Sequence, residues 1–205
     1  MLKFIRRSLI LFLATLPAAP NLAAQEAAPQ HPRFAACLAF ERAACSEVLA
    51  AQPENLTALF MRGLGAELDG DHAAALADFT LVTAREPRHF GAQLWRHVSA
   101  ATLDMPDAAA LRAYLDGATL PPWPKGLGLL YLDDISPADL LALANAQPAV
   151  VRAEALCAAH YHIGRAADMA GDAAAALAGF RAALATGATH VFEYQAATRA
   201  LNGRP

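Results

Sequence analysis

The stretch GDHAAALADF, Gly70–Phe79, returns as GDAAAALAGF at Gly171–Phe180, 101 positions later. A reacting centre is rarely written twice in one chain, whereas a packing unit often is. The repeat therefore constrains architecture before it says anything about chemistry. Each copy opens on Gly-Asp: glycine adopts the left-handed backbone that ends one helix, and aspartate caps the next. Helices joined by so short a turn must double back, so the predicted unit is a helical hairpin.

Numbering a 34-residue unit from Leu56 puts Gly63 at position 8, Gly70-Asp71 at 15 and 16, Ala75 at 20, Phe79 at 24 and Pro87 at 32. These are the small, turn, small, aromatic and proline positions of the tetratricopeptide repeat (TPR). Gly63 and Ala75 are small where the two helices would touch, Phe79 fills the space between hairpins, and Pro87 ends the unit. Numbering from Cys157 repeats the pattern with Gly164, Gly171-Asp172, Ala176, Phe180 and Ala183, and Gly187-Ala188 stands in place of the closing proline. The clear units are 56–89 and 157–190.

Elsewhere the period decays, yet the residues still favour helix, with few β-branched clusters. Cys37–Ala51 fits the second helix of a unit ending at Pro53. Phe90–Leu103 and Ala108–Asp116 read as helices across a turn, Leu120–Pro124 as a rigid break, and Leu127–Leu132 and Pro137–Ala146 as short helices. Val191–Leu201 is the capping helix that an open repeat end needs. The fold expected is all-α: a TPR-type helical hairpin solenoid over residues 34–205, with a degenerate middle and a C-terminal capping helix.

The chain opens MLKFIRRSLILFLATLPAAPNLAA. Lys3, Arg6 and Arg7 form a basic start, Leu9–Leu16 an apolar run too short to hold a bilayer, and small residues follow. That is a secretory signal peptide over residues 1–24, cut after Ala24, and residues 25–33 form a polar leader. Phe34-Ala35-Ala36-Cys37 lies too far behind the apolar run to be a lipidation site. The expected location is periplasmic, with no stable membrane anchor. Losing residues 1–24 removes three basic and no acidic residues, which moves the net charge from −3 to about −6. With no basic block and few aromatics, nucleic-acid binding is excluded. Alanine is the largest part of the 56% hydrophobic share, as suits close-packed helices.

The order of a TPR-like pair, the middle segment WPKGLGLLYLDDISPADLLALA, then YHIGRAADMAGDAAAALAGFRAAL and THVFEYQAATRAL resembles the NlpI-like TPR proteins of the bacterial envelope. The resemblance covers roughly residues 34–202. It implies a helical scaffold, often dimeric, that acts as an adaptor bringing a tail-specific protease to peptidoglycan hydrolases. Members are typically lipoproteins with further N-terminal helices, and this chain departs from both features.

Catalytic readings fail on spacing. Cys157, His160 and His162 (CAAHYH) cannot converge on a metal, because on a helix residue 162 points about 200° from residue 157. Gly126-x-Gly128 lacks the strand and third glycine of a nucleotide loop. Ser136-Pro137 with Asp139 reads as a helix start, and neither it nor Ser46 has a His/Asp constellation nearby. Glu193 and Tyr194 sit on the capping helix. No enzyme, cofactor or metal is expected. Trp95 and Trp123 are either core fillers or anchors for a partner.

What remains is a groove for a protein or peptide. In stacked hairpins the first helix of each unit lines the concave face, which selects Thr57, Phe60, Leu64, Glu67 and Leu68 from one unit and Ala158, Tyr161, Arg165, Asp168 and Met169 from the other. Phe60 and Tyr161 are the aromatics expected to face a partner. The function expected is a non-catalytic periplasmic interaction scaffold; the alternative is a fixed structural subunit of an envelope complex. Self-association as a homodimer stays open. So does a Cys37–Cys45 disulfide: one unbroken helix would hold the two Cα atoms about 12 Å apart, so pairing needs a turn between Ala39 and Arg42.

Overall fold

The computed structural model describes residues 31–203 apart from Pro106, so the expected signal peptide and most of the leader lie outside the described residues. The leader's last three residues form the turn into the first helix, where the Phe34 amide donates to the His31 carbonyl at 2.8 Å.

Among the described residues there are eleven helices and no strand: α1 Phe34–Leu38, α2 Arg42–Ala51, α3 Leu56–Leu68, α4 His72–Arg85, α5 Phe90–Thr102, α6 Ala108–Gly117, α7 Pro122–Tyr131, α8 Pro137–Asn145, α9 Ala149–Met169, α10 Ala173–Ala185 and α11 Phe192–Asn202. Helices adjacent in the chain pack on one another, and α11 also reaches back to α9 and α3.

The repeated stretch has the same local geometry twice. Gly70 and Gly171 take positive φ (75° and 79°). The amides of Asp71 and Asp172 bond back to the carbonyls of Ala66 and Ala167, each at 2.9 Å. The Asp71 and Asp172 side chains cap α4 and α10 by accepting from the amides of Ala74 and Ala175. Helix contact is equally matched. A Cβ on Gly63 would lie 2.7 Å from the Phe79 ring, and one on Gly164 would lie 3.0 Å from the Phe180 ring. Ala75, Ala176, Phe79 and Phe180 are fully buried. The hairpins differ one residue before the phenylalanine. Asp78 forms a two-pronged bond with Arg62 (2.8 and 2.6 Å), whereas Gly179 lets α10 ride directly over Gly164, with a Cβ there only 2.6 Å from the Gly164 Cα.

Three boundaries depart from the sequence reading. Cys37–Ala51 is two helices, because Phe40 takes φ 66° and turns the chain between α1 and α2. That turn brings the Cα atoms of Cys37 and Cys45 to 4.5 Å, and the two cysteines are disulfide-bonded. Second, the break expected over Leu120–Pro124 lies at residues 118–121, and Pro122, Trp123 and Pro124 already form the first turn of α7. The first helical turn has no intrahelical use for its N–H groups, so prolines cost little there. Third, α9 begins eight residues ahead of Cys157, directly after Pro148.

The largest core cluster joins α3, α4, α5, α9, α10 and α11 around Phe79, Trp95, Tyr161, Phe180 and Phe192. A second core lies under α1 to α5, and a third joins α5, α7, α8 and α9. Gly126 and Gly128 belong to α7, where added side chains would strike Leu143 and Leu115. They serve helix packing.

Candidate functional site: a cleft between the two repeated hairpins

The C-terminal half of α3, the turn after it, the C-terminal half of α9 and one face of α11 enclose a cleft of about 280 Å³. Glu67 and Leu68 line it from the first hairpin, Tyr161, Arg165 and Asp168 from the last, and Arg199 from α11. Residues about a hundred positions apart in sequence thus share one concavity.

Its charges are held rather than free. Arg165 is largely buried, donating to Thr102 Oγ1 at 2.6 Å and to Asp168 Oδ2 at 3.4 Å. The Glu67 side chain is 5% exposed; Oε1 accepts from Ser99 Oγ at 2.5 Å and Oε2 meets His72 Nδ1 at 3.1 Å. Arg199 Nη1 donates to Asp69 Oδ1 at 2.7 Å, bridging α11 to the end of α3. Fixed charges of both signs beside aromatic rings suit a polar, directional ligand such as a peptide segment.

Beneath the cleft lies a buried polar network. Tyr131 Oη is 2.8 Å from His162 Nδ1, and the His162 side chain is 1% exposed. Burial pushes the Tyr131 phenol well above its ordinary range, so it stays a neutral donor. The other ring nitrogen of His162 is not part of that bond. Nε2 faces Glu193 Oε1 at 3.8 Å and has no hydrogen-bond partner. Burial likewise raises the Tyr161 phenol and the free Cys157 thiol. Neither is poised as a nucleophile at neutral pH. Ser46 and Ser136 are spent on helix bonds, to the Arg42 carbonyl and to an N-terminal capping box with Asp139. Among the described residues no group of three His, Cys, Asp or Glu side chains is placed to hold a metal.

Of the groove positions read from sequence, Glu67, Leu68, Tyr161, Arg165 and Asp168 line the cleft. The others do not. Thr57 is exposed on the first turn of α3. Leu64 is 4% exposed in the core, and Met169 packs partly buried against it. Ala158 lies with Trp123 in a separate hollow. Phe60 sits against Phe79 and His89, with its ring over Gly91. Tyr161 is 6% exposed, its ring packed among Trp95, His162 and Phe180. Both rings are thus packed within the fold, Phe60 against Phe79 and His89 and Tyr161 among three rings, while Tyr161 also lines the cleft. Trp95, 4% exposed, is core.

Sequence reasoning missed Arg199, Phe192 and His72. The signal for the first two was present, since Phe192, Ala196 and Ala200 recur at helical spacing beside Arg199. Reading α11 as a cap set it aside.

No protein-family model matches the chain, and no curated protein matches it.

Proposed function

We propose that this protein is a non-catalytic interaction scaffold of TPR type, whose cleft between the repeated hairpins takes a peptide segment of a partner. The observation that carries this reading is the convergence of Glu67, Leu68, Tyr161, Arg165 and Asp168 on one concavity. Repeat numbering alone had assigned these residues to inner faces of different units. The matched contacts at Gly63–Phe79 and Gly164–Phe180 support the TPR assignment. The signal-peptide pattern of residues 1–24 supports a periplasmic setting, and the resemblance to NlpI-like proteins supports an adaptor that links a protease to peptidoglycan hydrolases.

Mild crosslinking in the cell of origin, followed by purification, tests this against the alternative of a fixed structural subunit. The adaptor reading expects substoichiometric partners that are lost when Arg165→Ala empties one wall of the cleft while helicity is retained. A single stoichiometric partner, indifferent to Arg165→Ala, would establish the fixed subunit instead.

A further inference from the structure

The C-terminal helix is seated like a ligand. Phe192, 8% exposed, inserts between Phe40 and Trp95, meeting both edge-on at 5.2 and 5.0 Å. Ala196 and Ala197 follow it into the core, and Arg199 reaches across to Asp69 at 2.7 Å. The connection from α10 runs through Gly187, in the left-handed region at φ 72°, with Gly187, Thr189 and His190 exposed. Release of α11 pivots at Gly187 and leaves α10 in place, at the cost of withdrawing buried Ala188 from the core and breaking the 2.9 Å His190–Glu154 contact. An eleven-residue helix has little stability of its own away from its seat.

The seat is also incompletely filled. Ala196, Ala200 and Gly203 contribute α11's wall of the 280 Å³ cleft, opposite Leu68, Tyr161 and Phe180. Small side chains thus stand where larger apolar ones would fit. At the far end Asp69 and Asp71 beside the turn share Arg42, Asp69 also meets Arg199, and Asp168 across the cleft pairs with Arg165, so that removal of Arg199 leaves the acids there in excess.

We propose that the surface under α11 is the docking site for an amphipathic helix of the partner protein, and that α11 holds it in cis until that helix displaces it. The partner helix carries an aromatic residue at its first contact position, large apolar residues four and eight positions on where α11 has Ala196 and Ala200, and a basic residue seven positions on, matching Phe192 and Arg199. The cis helix competes at the high effective concentration of a short tether, so the partner must bind through contacts that α11 does not make. The unfilled cleft supplies them. This proposal rests on the interaction reading above and adds the ligand's class and the gate.

The test uses the full chain. A fluorescein-labelled peptide of residues 189–203 bearing Ala196→Leu and Ala200→Leu is titrated into wild-type chain and into a chain loosened by Phe192→Ala and Arg199→Glu. The peptide is expected to bind the loosened chain at least about tenfold more tightly than wild type, and the unsubstituted peptide to bind more weakly. Asp69→Arg in the loosened chain should reduce binding several-fold. Absence of saturable binding to a loosened chain of unchanged helicity overturns the proposal. If the loosened chain loses helicity, hydrogen exchange on the wild-type protein decides. Exchange of residues 192–202 at least tenfold faster than α9 and α10 supports a gate, whereas a shared rate overturns it. Dimerisation through exchanged α11 helices, seen by sedimentation, would make a second copy the occupant and overturn the partner-helix assignment. Loss of crosslinked partners on Arg165→Ala, with no peptide binding, would leave the scaffold reading standing and remove this one.

Discussion

Phe40 and Phe192 meet edge to face, 5.2 Å between ring centroids and 75° between planes, although one sits in the turn after α1 and the other opens α11. Phe40 owes its position to backbone. Its φ is 66°, the Cys37–Cys45 bridge closes around it, and its carbonyl lies against Gly65, where a Cβ would stand 2.5 Å from that oxygen. The N-terminal turn is thus one wall of the C-terminal helix's seat.

That contact predicts coupled stabilities. Phe192→Ala should cost about 3–5 kcal/mol, as truncation of a buried ring does. The double-mutant cycle with Phe40→Ala should return a coupling of about 0.5–1.5 kcal/mol. Urea unfolding of the four proteins measures it. Strict additivity would mean the rings do not touch in solution.

The disulfide gives a second prediction. Closing a nine-residue loop, Cys37 to Cys45, removes unfolded-state entropy equivalent to about 2.5 kcal/mol. Cys37→Ser with Cys45→Ser should lower stability by that order and speed hydrogen exchange in both α1 and α11, since Phe40 loses its anchor. The denatured protein should take one alkyl group before reduction, on Cys157, and three after. Three before reduction would rule the bond out.

The repeated glycines separate packing from backbone. At Gly164 an added Cβ meets backbone, 2.9 Å from the Ala176 carbonyl oxygen, with Gly179 pressed against the same spot. At Gly63 it meets only the Phe79 ring. At Gly70 it meets nothing, but φ is 75°. Gly164→Ala should therefore cost most, toward about 3 kcal/mol, because the helices must part. Gly63→Ala should cost less, since a ring can shift, and Gly70→Ala about 1–2 kcal/mol from left-handed backbone alone. Gly70→Asn should recover part of that loss. Thermal denaturation ranks the four, and a Gly70→Ala loss that Asn fails to soften would remove the backbone explanation.

The helical character and the hairpins were legible because their determinants are local: Gly-Asp turns, small contact residues, capping side chains and alanine-rich runs. The break at Leu120–Pro124 was read too long because proline is penalised inside a helix but tolerated in its first turn, and composition does not say where the first turn falls. The cleft was half legible. Glu67, Leu68, Tyr161, Arg165 and Asp168 were among the positions picked out by repeat numbering. Numbering carries no record of what covers those positions. Phe60 and Tyr161 are packed against α5 and neighbouring rings, and Arg199 arrives from α11, through a contact between residues 69 and 199 that no local pattern encodes.

Two histidines are held below the ordinary pKa by burial. Burial lowers the pKa of His97 from the ordinary 6.5, an effect the neighbouring Asp107 carboxylate offsets only in part and Arg96 reinforces. Burial likewise lowers that of His160. Above pH 6.5 both side chains are neutral folded and unfolded, and stability is insensitive to them. As pH falls through 6.5 the unfolded chain takes up protons that the folded chain still refuses, so unfolding becomes easier. The loss continues until the lowered folded pKa values are passed. The slope for either group stays below the one-proton ceiling of about 1.4 kcal/mol per pH unit, and buried His97 contributes more than half-buried His160. The carboxylates held low, Asp71 by the Ala74 amide, Asp134 by Arg112 and Asp139 by Ser136, act in a separate window below about pH 4. Urea unfolding at pH 7.5 and 5.5 should show a clear drop for the wild-type chain and a smaller one for His97→Gln. An equal drop in both would place the responsible proton elsewhere, and no drop at all would mean that His97 is solvated in solution.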